Sequence, residues 1–195
     1  MKVIGITGGI ASGKSVVANV IKRHNYSVID ADVISHALMK ESKIIAKVQK
    51  TFGDEIIENG KVNRAKLGKI VFDDPSLRLK LEAIIHPRVK KEIKKELKKH
   101  KDEKFVFVVV PLLYEANMEN MMDKVILVYV DEQTQRTRLM KRDKIDFGYA
   151  LDKINSQIPL SKKVPLADYI INNEGEIHGT EEQVLSFLKE IENEI

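Results

Sequence analysis

Short runs rich in Val and Ile recur along the chain: Val3–Ile6, Tyr26–Ile29, Phe105–Val110, Val125–Val130 and Tyr169–Ile171. Each lacks clean apolar–polar alternation, the pattern of strands buried on both faces of a parallel sheet. Helical periodicity fills the gaps, beginning with Val16, Val17, Val20 and Ile21 after the first run. Strand, helix, strand in this order predicts an α/β fold with a doubly wound, five-stranded parallel sheet. The alternation is interrupted between Asp32 and Phe105, a gap too long for one crossover. The gap reads as helices, with apolar positions at Ile34, Ala37 and Leu38, at Ile45 and Val48, at Leu67, Ile70 and Val71, and at Leu77, Leu81, Ile84 and Ile85, punctuated by Asn59-Gly60 and Asp74-Pro75. This predicts a helical lobe inserted into the sheet. After the fourth run, a basic helix over Glu132–Arg142 and a second helix ending at Pro159 follow. A final helix is expected to begin at Thr180-Glu181-Glu182-Gln183, read as a capping box.

Composition narrows the function classes. The 195 residues include 43% hydrophobic residues, 10 Gly and 5 Pro, which suits a packed core and not a disordered segment. With no cysteine, a disulfide framework, a zinc knuckle and thiol catalysis all drop out. The longest apolar run, Phe105–Tyr114, is far too short to span a membrane, and Gly and Thr break up the apolar start before a signal-like segment forms. These features predict a soluble cytoplasmic protein. The net charge is +4, and Lys90–Lys104 alone, with eight Lys against four acidic residues, accounts for it. Val89, Ile93 and Leu97 recur every fourth residue there, so the run reads as a helix with a narrow buried stripe and a solvated basic face. No aromatic residue interrupts it to stack on bases, so neither nucleic acid nor a membrane is expected as a partner.

The chemistry concentrates in Gly8-Gly9-Ile10-Ala11-Ser12-Gly13-Lys14-Ser15, a full match to G-x-x-x-x-G-K-[ST] placed between a strand and an amphipathic helix. In such a loop backbone N–H groups wrap phosphates and the helix N-terminus adds partial positive charge. Lys14 is expected to reach the β- and γ-phosphates and Ser15 to hold Mg²⁺. This predicts binding of a nucleoside triphosphate. The N-K-x-D base reader of GTP switches does not occur, and Asp146-Phe147-Gly148 lacks the other protein-kinase motifs and reads as a loop. The strand at Phe105–Val110 ends in Pro111 and not in an acid, so the metal-site carboxylate must come from elsewhere; Asp30-Ala31-Asp32 supplies two. Ligands bind at the carboxyl ends of strands in open α/β sheets. Asp32 is therefore placed either to accept a hydroxyl proton or hold Mg²⁺, or to act merely as an N-cap.

The strings VIGITGGIASGKS, VIDADVISH, VPLLYE, LMKRD and ADYIINNEG, with Asn63-Arg64, Leu67, Phe72, Leu81 and Ile85-His86-Pro87 between them, resemble the dephospho-coenzyme A kinase family from residue 1 to about 190. The resemblance implies ATP-dependent phosphorylation of the ribose 3′-hydroxyl of dephospho-CoA, the last step of coenzyme A synthesis, with Mg²⁺ accompanying ATP. It implies a P-loop core of residues 1–32, 101–131 and 162–195, a helical acceptor lobe over 33–100 and a lid over 132–161. The roles it implies are Asp32 as base, Lys14, Arg138 and Arg142 as phosphate-contacting catalytic groups, and Gly8 to Ser15 with Val16 as the ATP loop. It also implies backbone groups near Asn173 and Gly175 as candidates for reading the adenine. Arg64, His86, Leu113 and Glu115 join Asp32 at the acceptor. The partners are ATP and dephospho-CoA, and the chain is expected as a monomer or weak oligomer.

The residues themselves leave alternatives open. Arg138 and Arg142, four apart, share a helix face that either clamps phosphates or is salt-bridged to Asp143 or Glu132. His86 before Pro87 reads equally as a helix terminus, Arg64 as the partner of a lobe carboxylate, and Glu115 as a helix cap. His24, His36, His100 and His178 fit no ligand pattern. Ala11 and Val16 stand where Gly and Thr are frequent in the family; Ala11 is tolerable provided its φ stays negative. Two rival functions carry the same loop: a nucleoside monophosphate kinase, against which the D-A-D acid and the long helical insertion argue, and a nucleotide-gated switch, against which the absent base reader and the basic lid argue.

Overall fold

The computed structural model describes residues 1–193; Glu194 and Ile195, the last two of the expected core segment, lie outside the described residues. In chain order the elements are β1 (Lys2–Gly8), α1 (Lys14–Arg23), β2 (Ser27–Asp30), α2 (Ala31–Leu38), α3 (Ser42–Phe52), β3 (Ile57–Glu58), β4 (Lys61–Val62), α4 (Arg64–Asp73), α5 (Pro75–Lys99), β5 (Phe105–Val109), β6 (Lys124–Tyr129), α6 (Glu132–Asp143), α7 (Phe147–Asn155), α8 (Leu160–Lys163), β7 (Tyr169–Asn172) and α9 (Ile177–Asn193). They divide into two compact units, Met1–Asp30 with the chain from His100 onward, and Ala31–Lys99. The residues expected to form a lid, 132–161, lie in the first.

The first unit is built on a five-stranded sheet in the order β2-β5-β1-β6-β7. Every pairing in it is parallel. The absence of alternation in the sequence has a direct cause: all five residues of β5 are buried. On one face Ile4, Ile6, Phe105, Phe107, Val109, Ile126 and Val128 pack against Val17, Val20 and Ile21 of α1 and Val184, Phe187, Leu188 and Ile191 of α9. Each such side chain contributes about 1.5–3 kcal/mol by leaving water. On the other face Leu127 and Val130 meet Leu160, Val164 and Ala167. Central β1 has β5 on one side and β6 on the other, so its carboxyl end, Gly8, opens where the chain's direction of travel across the sheet reverses.

The second unit is helical apart from one small hairpin. Asn59 and Gly60, which read as punctuation between helices, form its turn: both have positive φ (50° and 72°), as a two-residue type I′ connection between β3 and β4 requires. The Asn63 side chain caps α4 by accepting from the Ala65 and Lys66 amides, and Asp74 caps α5 through Ser76 and Leu77. α5 buries Val89, Ile93 and Leu97, the predicted stripe, and with them Ile85 one turn earlier. It also runs through Pro87 without ending, so His86 is not at a helix terminus. The lost Pro87 N–H bond is outweighed by four buried aliphatic side chains, Ile85 before it and Val89, Ile93 and Leu97 after it.

The capping box at Thr180 is a second correction. α9 starts at Ile177, which places Thr180 inside its first turn, buried, with its hydroxyl donated to Asn173 Oδ1 at 2.7 Å. Gln183, the other half of the expected box, accepts from the Asn172 amide and donates to the Asn172 and Gly179 carbonyls.

Candidate active site

The glycine loop leaves β1 at Gly8 and enters α1 at Lys14. Two of its residues are left-handed, Ala11 at φ 58° and Gly13 at φ 91°, and they curl the backbone around its own amides. The condition set for Ala11, a negative φ, is thus not met: the loop needs that curl at residue 11 whichever side chain occupies it. A left-handed L-residue costs roughly 1–2 kcal/mol, against which glycine forfeits about 0.5–1 kcal/mol in chain entropy. Ala11→Gly is therefore expected to leave stability level or raise it by up to about 1 kcal/mol, a Tm gain of at most about 2–4 °C at this size. Calorimetry checks this, and a clear fall in Tm would mean that the Ala11 methyl, packed among Leu139, Ala150 and Ile154, outweighs the strain.

The loop is held from outside at three points. Asn173 Nδ2 donates to Ser12 O at 2.8 Å. The same nitrogen lies 2.0 Å from where a Cβ on Gly13 would stand, so no side chain fits there. Gly9 is closed off in the same way by Gln135 Nε2, 2.4 Å from an added Cβ. The Ile10 amide donates to Gln157 Oε1 at 2.8 Å, and Ile10 and Ala11 pack on Leu139 of α6 and Ala150 and Ile154 of α7. Lys14 Nζ bonds the Gly8 and Gly9 carbonyls at 3.0 and 2.8 Å, folded across the mouth of the loop. The Ser15 hydroxyl, on the first turn of α1, is open to solvent and makes no hydrogen bond among the described residues.

The other expected residues fare differently. Asp32 is not the residue before a helix: β2 passes straight into α2 at Ala31, so Asp32 sits exposed in the first turn, where a carboxylate suits the helix dipole. Arg64 is bound not by a carboxylate but by His36 Nε2, at 2.6 Å. A guanidinium only donates, so this nitrogen accepts and the ring proton is on Nδ1. His36, which fits no ligand pattern in the sequence, is thus the partner of Arg64. His86 is half-buried, and burial, more than the opposing pull of Glu82, holds its imidazole below the ordinary value.

Leu113 and Glu115, expected at the acceptor, are turned to structural use. Leu113 is fully buried and its carbonyl accepts from Met118 N. Glu115 Oε1 accepts from Ile158 N at 3.0 Å and lies 2.8 Å from Nζ of Lys163, which is itself fully buried. The pair anchors the segment after α7. Asn173 is committed to Ser12 and Thr180, so its side chain is not available to a base, whereas Gly175 is exposed and lines an open hollow of about 280 Å³ with Asn172, Glu174, Glu176, Gly179 and Gln183.

The dephospho-CoA kinase family matches residues 2–179. The chain belongs to this family. It is 42% identical over 193 residues to a dephospho-CoA kinase of Carboxydothermus hydrogenoformans, covering 97% of this chain and 94% of that one. It is 38% identical to one of Listeria innocua, covering 98% of each. Among solved structures, the dephospho-CoA kinase from Campylobacter jejuni superposes with a TM-score of 0.73 at 27% identity, over 97% of this chain and 96% of that one. TT1252 from Thermus thermophilus superposes with a TM-score of 0.83 at 29% identity, over 97% of both chains. A shikimate kinase from Acinetobacter baumannii, at 15% identity and a TM-score of 0.56 over 100% of this chain and 94% of that one, shares the fold alone.

Arg138 and Arg142 of α6 are not equivalent. Arg142 is spent on Asp143, with Nε to Oδ1 at 2.7 Å, and this contact, ahead of Lys153, brings the Asp143 carboxyl down to about 2. Arg138 makes no hydrogen bond or ion pair among the described residues. Arg138→Ala is expected to lower kcat by about 10²-fold or more, the range for removing a charge-stabilising donor, and Arg142→Ala by about tenfold or less. Steady-state kinetics on both variants would expose the reverse order, which would assign the clamp to Arg142.

Proposed function

We propose that this enzyme transfers the γ-phosphoryl group of ATP to the 3′-hydroxyl of the ribose of dephospho-CoA, giving coenzyme A and ADP. The observation that carries the reading is the near-full-length family match on a chain whose glycine loop is curled by two left-handed residues and followed at once by a helix N-terminus. Loop amides and Lys14 bind the phosphates, and the Gly8 and Gly9 carbonyls give up Lys14 Nζ to them. The acceptor oxygen attacks phosphorus in line, its proton passes to the Asp32 carboxylate, and the bond to the β-phosphate oxygen breaks to release ADP. Arg138 stabilises charge on the transferring group. Arg64, held by His36, and half-buried His86 serve the acceptor, and the exposed backbone at Gly175 serves the adenine.

The Ser15 hydroxyl, a solvent-open oxygen donor with no protein partner among the described residues, fits a hard cation. Ser15 would be the protein ligand of a Mg²⁺ that arrives with the nucleotide; no cluster of three or more His, Cys, Asp or Glu able to hold a metal occurs among the described residues. When bound, Mg²⁺ neutralises charge on the β- and γ-phosphate oxygens. The proposal includes residues 132–161 as a lid that excludes water from the reaction, and an enzyme that works in the cytoplasm as a monomer or weak oligomer. No helix among the described residues is long and apolar enough to cross a membrane.

The test is ADP release with Mg-ATP and dephospho-CoA, alongside AMP and no acceptor, with mass spectrometry of the product. A gain of one phosphate on dephospho-CoA alone is expected. Turnover with AMP, or hydrolysis without acceptor, would keep the nucleotide loop and discard the substrate.

A further inference from the structure

We propose that Thr180 is a positioning residue for ATP, acting through Asn173 to set the orientation of one peptide in the glycine loop. The three groups form a buried series: Thr180 Oγ1 donates to Asn173 Oδ1 at 2.7 Å, and Asn173 Nδ2 donates to Ser12 O at 2.8 Å. Thr180 is 1%, Asn173 4% and Ser12 0% exposed. Water therefore cannot substitute for any link, and each unpaired group would carry its full desolvation cost.

The order of donors is chemically determined. Ser12 O only accepts, so the Asn173 amide must turn its nitrogen that way. Its oxygen then faces α9 and needs a donor, which the Thr180 hydroxyl is. The Asn173 backbone is fixed as well, because its amide donates to Tyr129 O at 2.9 Å. Among the described residues Ser12 has no other side-chain tether, since its own Oγ is buried without a hydrogen-bond partner there.

The consequence falls on Gly13. The Ser12 carbonyl and the Gly13 N–H belong to one planar trans peptide and point in opposite directions. Drawing Ser12 O toward Asn173 turns the Gly13 N–H away from Asn173, which leaves it to donate to a phosphate bound in the loop. The amide nitrogen of Asn173 also occupies the space beside Gly13 that a Cβ would need. One side chain therefore both sets the peptide and demands glycine next to it. This inference rests on the proposed binding of ATP at this loop.

The experiment is calorimetric titration of Mg-ATP without acceptor into wild type, Thr180→Val, Thr180→Ser and Asn173→Asp, with melting temperatures and KM values for both substrates. Valine keeps the shape of threonine and removes the donor. It is expected to weaken ATP binding about tenfold or more and raise KM for ATP in step, with KM for dephospho-CoA within about twofold of wild type. Serine is expected to restore ATP affinity. Aspartate puts an acceptor against Ser12 O and is expected to reproduce the loss, which covers the case in which the valine variant does not fold. A valine or aspartate variant that melts lower but binds ATP with wild-type affinity would overturn the proposal and leave the series a packing device. Wild type that binds no ATP would overturn the functional reading itself, and this inference with it.

Discussion

Lys14→Ala is expected to lower kcat by about 10²–10³-fold and to weaken ATP binding at the same time, because the ammonium meets the phosphates both before and during transfer. In the structure this ammonium already spans two carbonyls at the mouth of the loop, Gly8 and Gly9. Its own tether is thus made of backbone acceptors that a phosphate outcompetes through full charge. The fold is expected to tolerate the change, since Lys14 is only partly buried and α1 is anchored by Val17, Ala18, Val20 and Ile21. Single-turnover kinetics with titrated ATP is the check. A rate unchanged from wild type would remove the loop from the reaction.

Asp32→Asn should give the opposite split: turnover reduced by about 10²–10⁴-fold, the range for a lost general base, with ATP affinity nearly intact. Asparagine keeps the shape and a hydrogen-bonding oxygen but cannot take the acceptor's proton. Because Asp32 is exposed on the first turn of α2, the substitution removes little packing, and the helix-dipole interaction it weakens is worth roughly 0.3–1 kcal/mol. ATP affinity from titration and kcat from ADP release separate the outcomes. Equal loss of both would move Asp32 to the metal site or to folding.

Much of this was legible because it is local. The eight residues from Gly8 to Ser15 carry their function in their order, and the loop they predict is the loop that forms. The five strands were visible because burial on both faces leaves a continuous apolar run. The buried stripe of α5 was visible because helical spacing repeats within a single element. Even so, local signals misled where a wider context outweighs them. Pro87 reads as a stop, yet the helix passes through it, held by apolar side chains on both sides. Thr180 has the spacing of a cap, yet its hydroxyl is drawn to Asn173. The hairpin at Asn59-Gly60 was hidden because its strands are only two residues each.

The division between sequence and tertiary structure at the site follows the range of the interactions. Sequence alone determined the nucleotide loop, the individual strands of the sheet that presents it, the two acids where β2 meets α2 and the basic face of α6, each a pattern within a dozen or so neighbouring residues. Tertiary structure alone decided which side chains hold that loop in shape. Asn173 reaches Ser12 across 161 residues of chain, and Gln157 reaches Ile10 across 147. It also decided that Arg142 is spent on Asp143 while Arg138 is not, and that Glu115 anchors Ile158 and Lys163. A periodic pattern encodes which face is buried. It does not encode which polar atom on a distant segment comes to lie within 3 Å, because that is set by how the elements pack.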